Sequence, residues 1–154
     1  YTLIDDSFKN SIVFDIENEK IFKKTWFAVG LNEELNEHGN TISTFIGKSP
    51  IIITNFKNEL FGHYNVCRHR ASILLKEGNY KNASILKCPY HCWTFNGKGK
   101  LMGTPFFNDE KVPQNLKQKQ ESKQNGNEPI CDEFIKVNFD KTEYNLYPIN
   151  IKSF

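Results

Sequence analysis

The chain is 154 residues long, with 20 Lys+Arg against 18 Asp+Glu, four Cys and a net charge of +2. That is room for one domain with a moderate core, and charges this balanced and interspersed exclude the electrostatic footprint of a nucleic-acid or membrane-surface binder. No apolar run is long enough to span a bilayer. Nor does the start resemble a secretory signal, and Tyr1 in place of Met suggests a trimmed or partial sequence.

In chain order, residues 10–25 read as an amphipathic helix with Phe14, Ile21, Phe22 and Thr25 on one face and Ser11 as N-cap. From Trp26 the pattern changes to short β-rich runs at 26–29, 41–46, 51–56, 60–66, 84–87 and 93–95. Glu37-His38-Gly39-Asn40, Lys57-Asn58 and Asn96-Gly97 supply turns, the last with a hairpin signature. Residues 108–133 are rich in Gln, Lys, Asn and Glu without apolar periodicity, and predict an exposed loop or disordered insert. Strand character returns at 134–137 and 146–151, where Pro148 predicts an edge position. The pattern is that of an antiparallel all-β domain over 36–154 behind an N-terminal helical arm over 1–35.

The chemistry lies in two short runs: Cys67-Arg68-His69, then eighteen residues, then Cys88-Pro89-Tyr90-His91. Each puts one Cys and one His on a tight loop, so two facing loops can offer two thiolates and two imidazoles. That set suits a two-iron, two-sulfur cluster whose thiolates hold one iron and whose imidazoles hold the other. A structural zinc site uses the same residue types, but usually places two Cys on one knuckle and two His on a helix turn. The mixed spacing favours the cluster; ligand softness alone does not separate the two metals. His38, in a turn, and His63, in a strand, carry no signal of this kind.

Both Arg residues of the chain, Arg68 and Arg70, flank His69, while every other basic residue is Lys. A guanidinium is a planar, always-charged fork of donors that can grip a carboxylate or cap a reduced cluster. Tyr90 and Trp93 are expected around the loops, limiting water access, with plain core packing the alternative.

The runs Asn65-Val66-Cys67-Arg68-His69-Arg70-Ala71-Ser72-Ile73-Leu74 and Lys87-Cys88-Pro89-Tyr90-His91-Cys92-Trp93-Thr94-Phe95 resemble the Rieske domain of aromatic-ring-hydroxylating oxygenase large (alpha) subunits, a family that includes choline-monooxygenase-like enzymes. Weaker similarity covers most of residues 10–107. The resemblance implies an antiparallel Rieske-type β-sandwich with an N-terminal helix and two cluster-binding loops at one end. It implies Cys67, His69, Cys88 and His91 as ligands of a Rieske [2Fe-2S] cluster, and a reductase or ferredoxin as electron donor. It further implies a homotrimer in which electrons pass to a mononuclear Fe(II) in a neighbouring subunit. The catalytic domain holding that iron through two His and a carboxylate is expected outside this chain, so no catalytic residue is assigned here.

Besides that missing iron site, two departures accompany the resemblance. Cys92 stands where the family usually has Gly, and could be a bystander, a stray soft ligand or an oxidation-sensitive thiol. The gap between the half-sites is long, which suggests an extra residue or so around Gly78–Asn82. Ser72 and Tyr90 stand where cytochrome-complex relatives carry a disulfide, implying a cytoplasmic or other reducing compartment and a potential at the low end of about −150 to +300 mV. Two other classes compete: a stand-alone Rieske ferredoxin, against which the long leader, the Arg-His-Arg run and Trp93 argue, and a zinc-stabilised module. The role of Cys131 is open.

Overall fold

Three consecutive isoleucines show how the chain divides its apolar surface. Ile51, Ile52 and Ile53 are all buried in one strand, but successive side chains point to opposite faces. Ile52 therefore joins Leu86, Trp93, Phe95, Leu101 and Leu146 in one core, whereas Ile53 joins Leu35 and Ile42 in another. A sheet so buried on both sides needs cover on each. The computed structural model, which describes residues 6–105 and 139–154, supplies it.

The larger sheet comprises β1 (Thr41–Ile46), β2 (Ser49–Phe56), β3 (Glu59–Tyr64), β4 (Gly78–Tyr80) and β8 (Pro148–Ile149), in the order β4-β1-β2-β3-β8. The smaller comprises β5 (Ile85–Lys87), β6 (Thr94–Asn96) and β7 (Leu101–Gly103), in sequence order. Every pairing is antiparallel. Lys57 and Asn58 both adopt positive φ, at 57° and 65°. This is the hairpin geometry whose twist matches the strands it joins, here β2 and β3. Val66 and Ile73 form an isolated bridge across the base of the loop that follows β3.

The expected helix over 10–25 is shorter. Asn10, not Ser11, caps it by accepting from the Ile12 N–H at 2.9 Å, and the α-helix covers Ser11–Glu17. It then widens into a π-turn over Asn18–Phe22. The cause is Asn18, which turns inward, 4% exposed, to accept from the Lys48 N–H at 2.9 Å. Gly47 beneath it has φ +57°, and a Cβ there would come within 2.2 Å of the Asn18 Oδ1. Residues 26–29, expected as a strand, pair with no strand among the described residues: Trp26 and Phe27 lie exposed, with Phe27 edge-on to Phe22 at 5.6 Å. The expected loop around Gly78–Asn82 holds β4 as an edge strand on β1. The tail strand is confined to Pro148–Ile149, at the sheet edge as its proline requires. The polar stretch 108–133, the run 134–137 and Cys131 lie outside the described residues.

His63 joins the sheets. It is 4% exposed in β3, with Nε2 at 3.1 Å from the Lys98 carbonyl. Its buried Nδ1 has no hydrogen-bond partner among the described residues. The neutral ring, donating from Nε2, fits this setting, and burial lowers its pKa more than the Lys98 carbonyl raises it. Gly99, at φ +76°, leaves the space; a Cβ would stand 2.3 Å from Nε2. Because the unfolded chain binds this proton more readily, the His63 contribution is complete above about pH 6.5 and lost as pH falls through the window below it. Urea midpoints at pH 7.5 and 5.5 should therefore differ less in His63→Gln than in the wild type; equal differences would contradict the assignment.

Candidate metal centre

The two Cys–His loops have one backbone plan. In the first, which leaves β3, the Cys67 N–H donates to the Ser72 carbonyl at 2.8 Å and the Ala71 N–H to the Cys67 carbonyl at 3.0 Å. In the second, which joins β5 to β6, the Cys88 N–H donates to the Trp93 carbonyl at 2.8 Å and the Cys92 N–H to the Cys88 carbonyl at 3.1 Å. Each turn is reversed by its fifth residue in a left-handed conformation, φ 53° at Ala71 and 59° at Cys92. The loops differ in where His stands, third in one and fourth in the other.

The left-handed turn also explains why Gly would suit position 92. A side chain there costs about 1–2 kcal/mol, partly offset in a Gly variant by about 0.4–1 kcal/mol of unfolded-state entropy. Cys92→Gly should thus stabilise the chain by about 0.5–1 kcal/mol and raise Tm by a few degrees in calorimetry. A lowered Tm would refute the conformational account.

The thiols of Cys67 and Cys88 are both 2% exposed and within hydrogen-bond reach of each other. The backbone N–H groups of His69 and Arg70 point at the Cys67 sulfur, those of His91 and Tyr90 at the Cys88 sulfur. Burial and the neighbouring thiol push Cys67 up to about 11. Burial raises Cys88 too, but the N–H groups and the Ser72 hydroxyl outweigh it and hold this thiol below its ordinary value. Two buried sulfurs, each ringed by donors, form a pocket for thiolates. Ser72 is a contributor the sequence reading missed as a donor: nothing in its position signals that its hydroxyl would face a cysteine sixteen residues on.

The imidazoles come together above the thiols' loops. The ring centroids of His69 and His91 are 4.6 Å apart at 70°. Burial, His91 and Arg70 lower the His69 pKa, favouring the neutral ring that a metal requires. The His91 Nδ1 is buried with no hydrogen-bond partner among the described residues. Trp93, 1% exposed, lies flat against His69, 4.9 Å between centroids and 11° between planes. Its edges meet Phe139 at 5.7 Å and Tyr144 at 5.8 Å. Tyr90 covers His91 from outside at 3.7 Å but is itself 60% exposed.

Arg68 and Arg70 part company. The Arg68 guanidinium stacks on Tyr147 at 3.6 Å and donates to the Glu143 carbonyl at 3.3 Å, so it ties the first loop to the tail. Arg70 is exposed. His38 accepts from the Lys57 N–H at 3.0 Å in the turn where it was expected.

The donor set fits a two-metal cluster better than a single ion. The four side chains divide into a thiol pair and an imidazole pair, one pair for each metal of such a cluster. An orphaned imidazole nitrogen and two thiols lined by N–H donors match what a sulfide-bridged pair of irons would take up.

A β-sandwich bearing paired Cys–His knuckles is the architecture of an iron–sulfur domain. The chain belongs to the Rieske [2Fe-2S] domain family, whose model matches residues 25–118. It is 31% identical over 142 residues, 92% of the chain, to the glycine betaine monooxygenase oxygenase subunit of Pseudomonas aeruginosa strain UCBPP-PA14, and covers 27% of that protein. It is 36% identical over 106 residues, 68% of the chain, to the anthranilate 1,2-dioxygenase large subunit of Burkholderia cepacia, covering 25% of it. The crystal structure of the quaternary ammonium Rieske monooxygenase CntA superposes with a TM-score of 0.71 at 28% identity, over 98% of this chain and 35% of that one. Naphthalene 1,2-dioxygenase shares the fold, with a TM-score of 0.69 at 21% identity, over 95% of this chain and 28% of that one. The chain thus spans about a quarter of the length of the curated relatives it matches. No helix among the described residues is long and apolar enough to cross a membrane.

Proposed function

We propose that Cys67 and Cys88 hold one iron of the family's cluster and His69 and His91 the other, and that the chain is the electron-transfer part of a ring-hydroxylating or quaternary-amine oxygenase large subunit. The observation that carries this reading is the convergence of one thiol pair and one imidazole pair from two loops of equal backbone plan. When bound, the cluster supplies one-electron transfer at a potential raised by its imidazole ligands.

The chain's own residues prepare that site. Backbone N–H groups beside both sulfurs favour thiolate over thiol. Trp93 fixes the plane of His69 and, with Phe139 and Tyr144, keeps water from its inner face. Tyr90 leaves the outer side of His91 only partly shielded, which suits a centre whose electrons must leave at the surface. In this reading residues 1–35 are an arm and 36–154 the cluster domain. A reductase or ferredoxin delivers the electron, and a mononuclear iron in a neighbouring subunit of a homotrimer receives it. The kinship with two kinds of oxygenase subunit supports this assembly. The free thiols of Cys67, Cys88 and Cys92 suit a cytoplasmic or other reducing compartment.

Anaerobic purification followed by iron, sulfide and zinc analysis tests the proposal. Equal iron and sulfide with a Rieske-type EPR signal after reduction is the expected result. A colourless, zinc-loaded chain would refute it.

A further inference from the structure

We infer that Asn65 is a positioning residue for the centre: its side-chain amide clamps the first ligand loop to the large sheet and sets where Cys67 and His69 stand. The inference rests on the ligand assignment proposed above.

Asn65 is 1% exposed and lies two residues before Cys67. A carboxamide can accept two hydrogen bonds and donate two. Here all four are used. Oδ1 accepts from the Leu74 N–H at 3.0 Å and the Leu75 N–H at 3.1 Å. Nδ2 donates to the Leu75 carbonyl at 2.6 Å and to the Ser43 Oγ at 2.9 Å. The Asn65 N–H donates to the Pro50 carbonyl at 2.9 Å, and the Ser43 hydroxyl also reaches the Leu75 carbonyl at 3.2 Å. The side chain therefore joins the entry of the loop, its exit and strand β1, while the backbone N–H of the same residue ties the entry to β2.

The loop's other outside ties hold one point each: the Asn65 N–H its entry, the Ser43 hydroxyl its exit and Arg68 its tip, whereas the carboxamide holds entry, exit and sheet together. The bonds from Cys67 to Ser72 and from Ala71 to Cys67 shape the turn internally, and the Val66–Ile73 bridge closes its neck. With the amide gone, the turn would keep its form and its entry bond to Pro50, but its exit at Leu74 and Leu75 would be held to the sheet by the Ser43 hydroxyl alone and could shift. His69 would then lose its register against His91, 4.6 Å away on the other loop. Ligand constellations tolerate only about 0.5 Å of such movement. The sheet itself, held by its own ladder, would remain.

The test uses the full chain, reconstituted anaerobically with ferrous iron and sulfide, and reads iron release to a chelator together with the EPR line shape. Asn65→Asp keeps size and the Oδ1 acceptor but sets an oxygen against the Leu75 carbonyl. It should release iron about tenfold faster or more, the range seen when partners of ligand residues are removed, with broadened EPR lines. Asn55→Asp is the control: Asn55 is 5% exposed, donates to the Leu35 carbonyl at 2.7 Å and accepts from the Asn58 N–H at 2.9 Å, at the hairpin end of β2. It should lower the urea midpoint but leave iron release within about twofold of the wild type, because sites without shared partners act independently. Equal acceleration in both variants, or a wild-type rate in Asn65→Asp, would overturn the inference. If Asn65→Asp does not fold, Ser43→Ala carries the test; it removes the bonds from the Ser43 hydroxyl to Asn65 and Leu75 and should speed release by about threefold or more, and an unchanged rate would overturn the inference. A wild-type chain that takes up no cluster sinks the functional reading and this one together; a loaded wild type with indifferent variants sinks this one alone.

Discussion

Replacing His91 by alanine is expected to abolish the Rieske EPR signal and reduce bound iron to a small fraction of the wild-type level, while the chain stays folded. His91 is only half-buried and lies on a loop, outside the hydrophobic core. Its loss leaves no large cavity, so stability should change by no more than about 1 kcal/mol. The cluster, by contrast, would lose one of four protein ligands and leave an iron open to water. Far-UV circular dichroism and iron analysis on the same sample separate the two effects. Retention of iron and sulfide at wild-type levels would rule His91 out as a ligand. A variant that loses iron only by unfolding would show coincident changes in both measurements.

Trp93→Ala should act on fold and site at once. Trp93 is among the largest fully buried side chains and touches His69 in the first ligand loop and Phe139 and Tyr144 in the tail. Removing a buried indole costs about 3–5 kcal/mol. Against a total of about 5–15 kcal/mol for a domain, that is a large share, and the thermal midpoint should fall by roughly 10 °C or more. Trp93→Phe keeps a flat ring against His69 and should recover much of the loss. A Trp93→Ala midpoint within about 2 °C of the wild type would show that the stack contributes little.

The meeting of the two Cys–His loops was legible in the sequence because its signal is local. Each half-site keeps Cys and His within three residues, and tight turns bring such neighbours to one side whatever the rest of the fold does. Strands β1, β2 and β3 were legible for a similar reason, since β1 and β2 carry β-branched runs and an aromatic-rich run follows the Lys57-Asn58 turn. What remained hidden depends on distant partners. The helix stops at Glu17 because Asn18 finds the β1–β2 turn thirty residues away. The pattern at 26–29 looks like a strand, yet no neighbouring edge receives it. β4 and β7 contain no β-branched residue to mark them, unlike the equally short β5 and β6. Arg68 was expected to face a carboxylate or the cluster, and its stacking partner Tyr147 stands 79 positions later.

That separation bears on biogenesis. The second wall of the centre, Phe139, Tyr144 and the Tyr147 that receives Arg68, comes from a stretch made long after both ligand loops. A ribosome-bound chain that has emerged only through Phe95 displays all four donors and Trp93 but lacks the Phe139 and Tyr144 that back Trp93 and the anchor for Arg68. Cofactor delivery before residue 147 emerges would meet an unfinished, water-exposed cradle. Acquisition of iron and sulfide should thus trail synthesis, making a filled centre a marker of completed tertiary assembly.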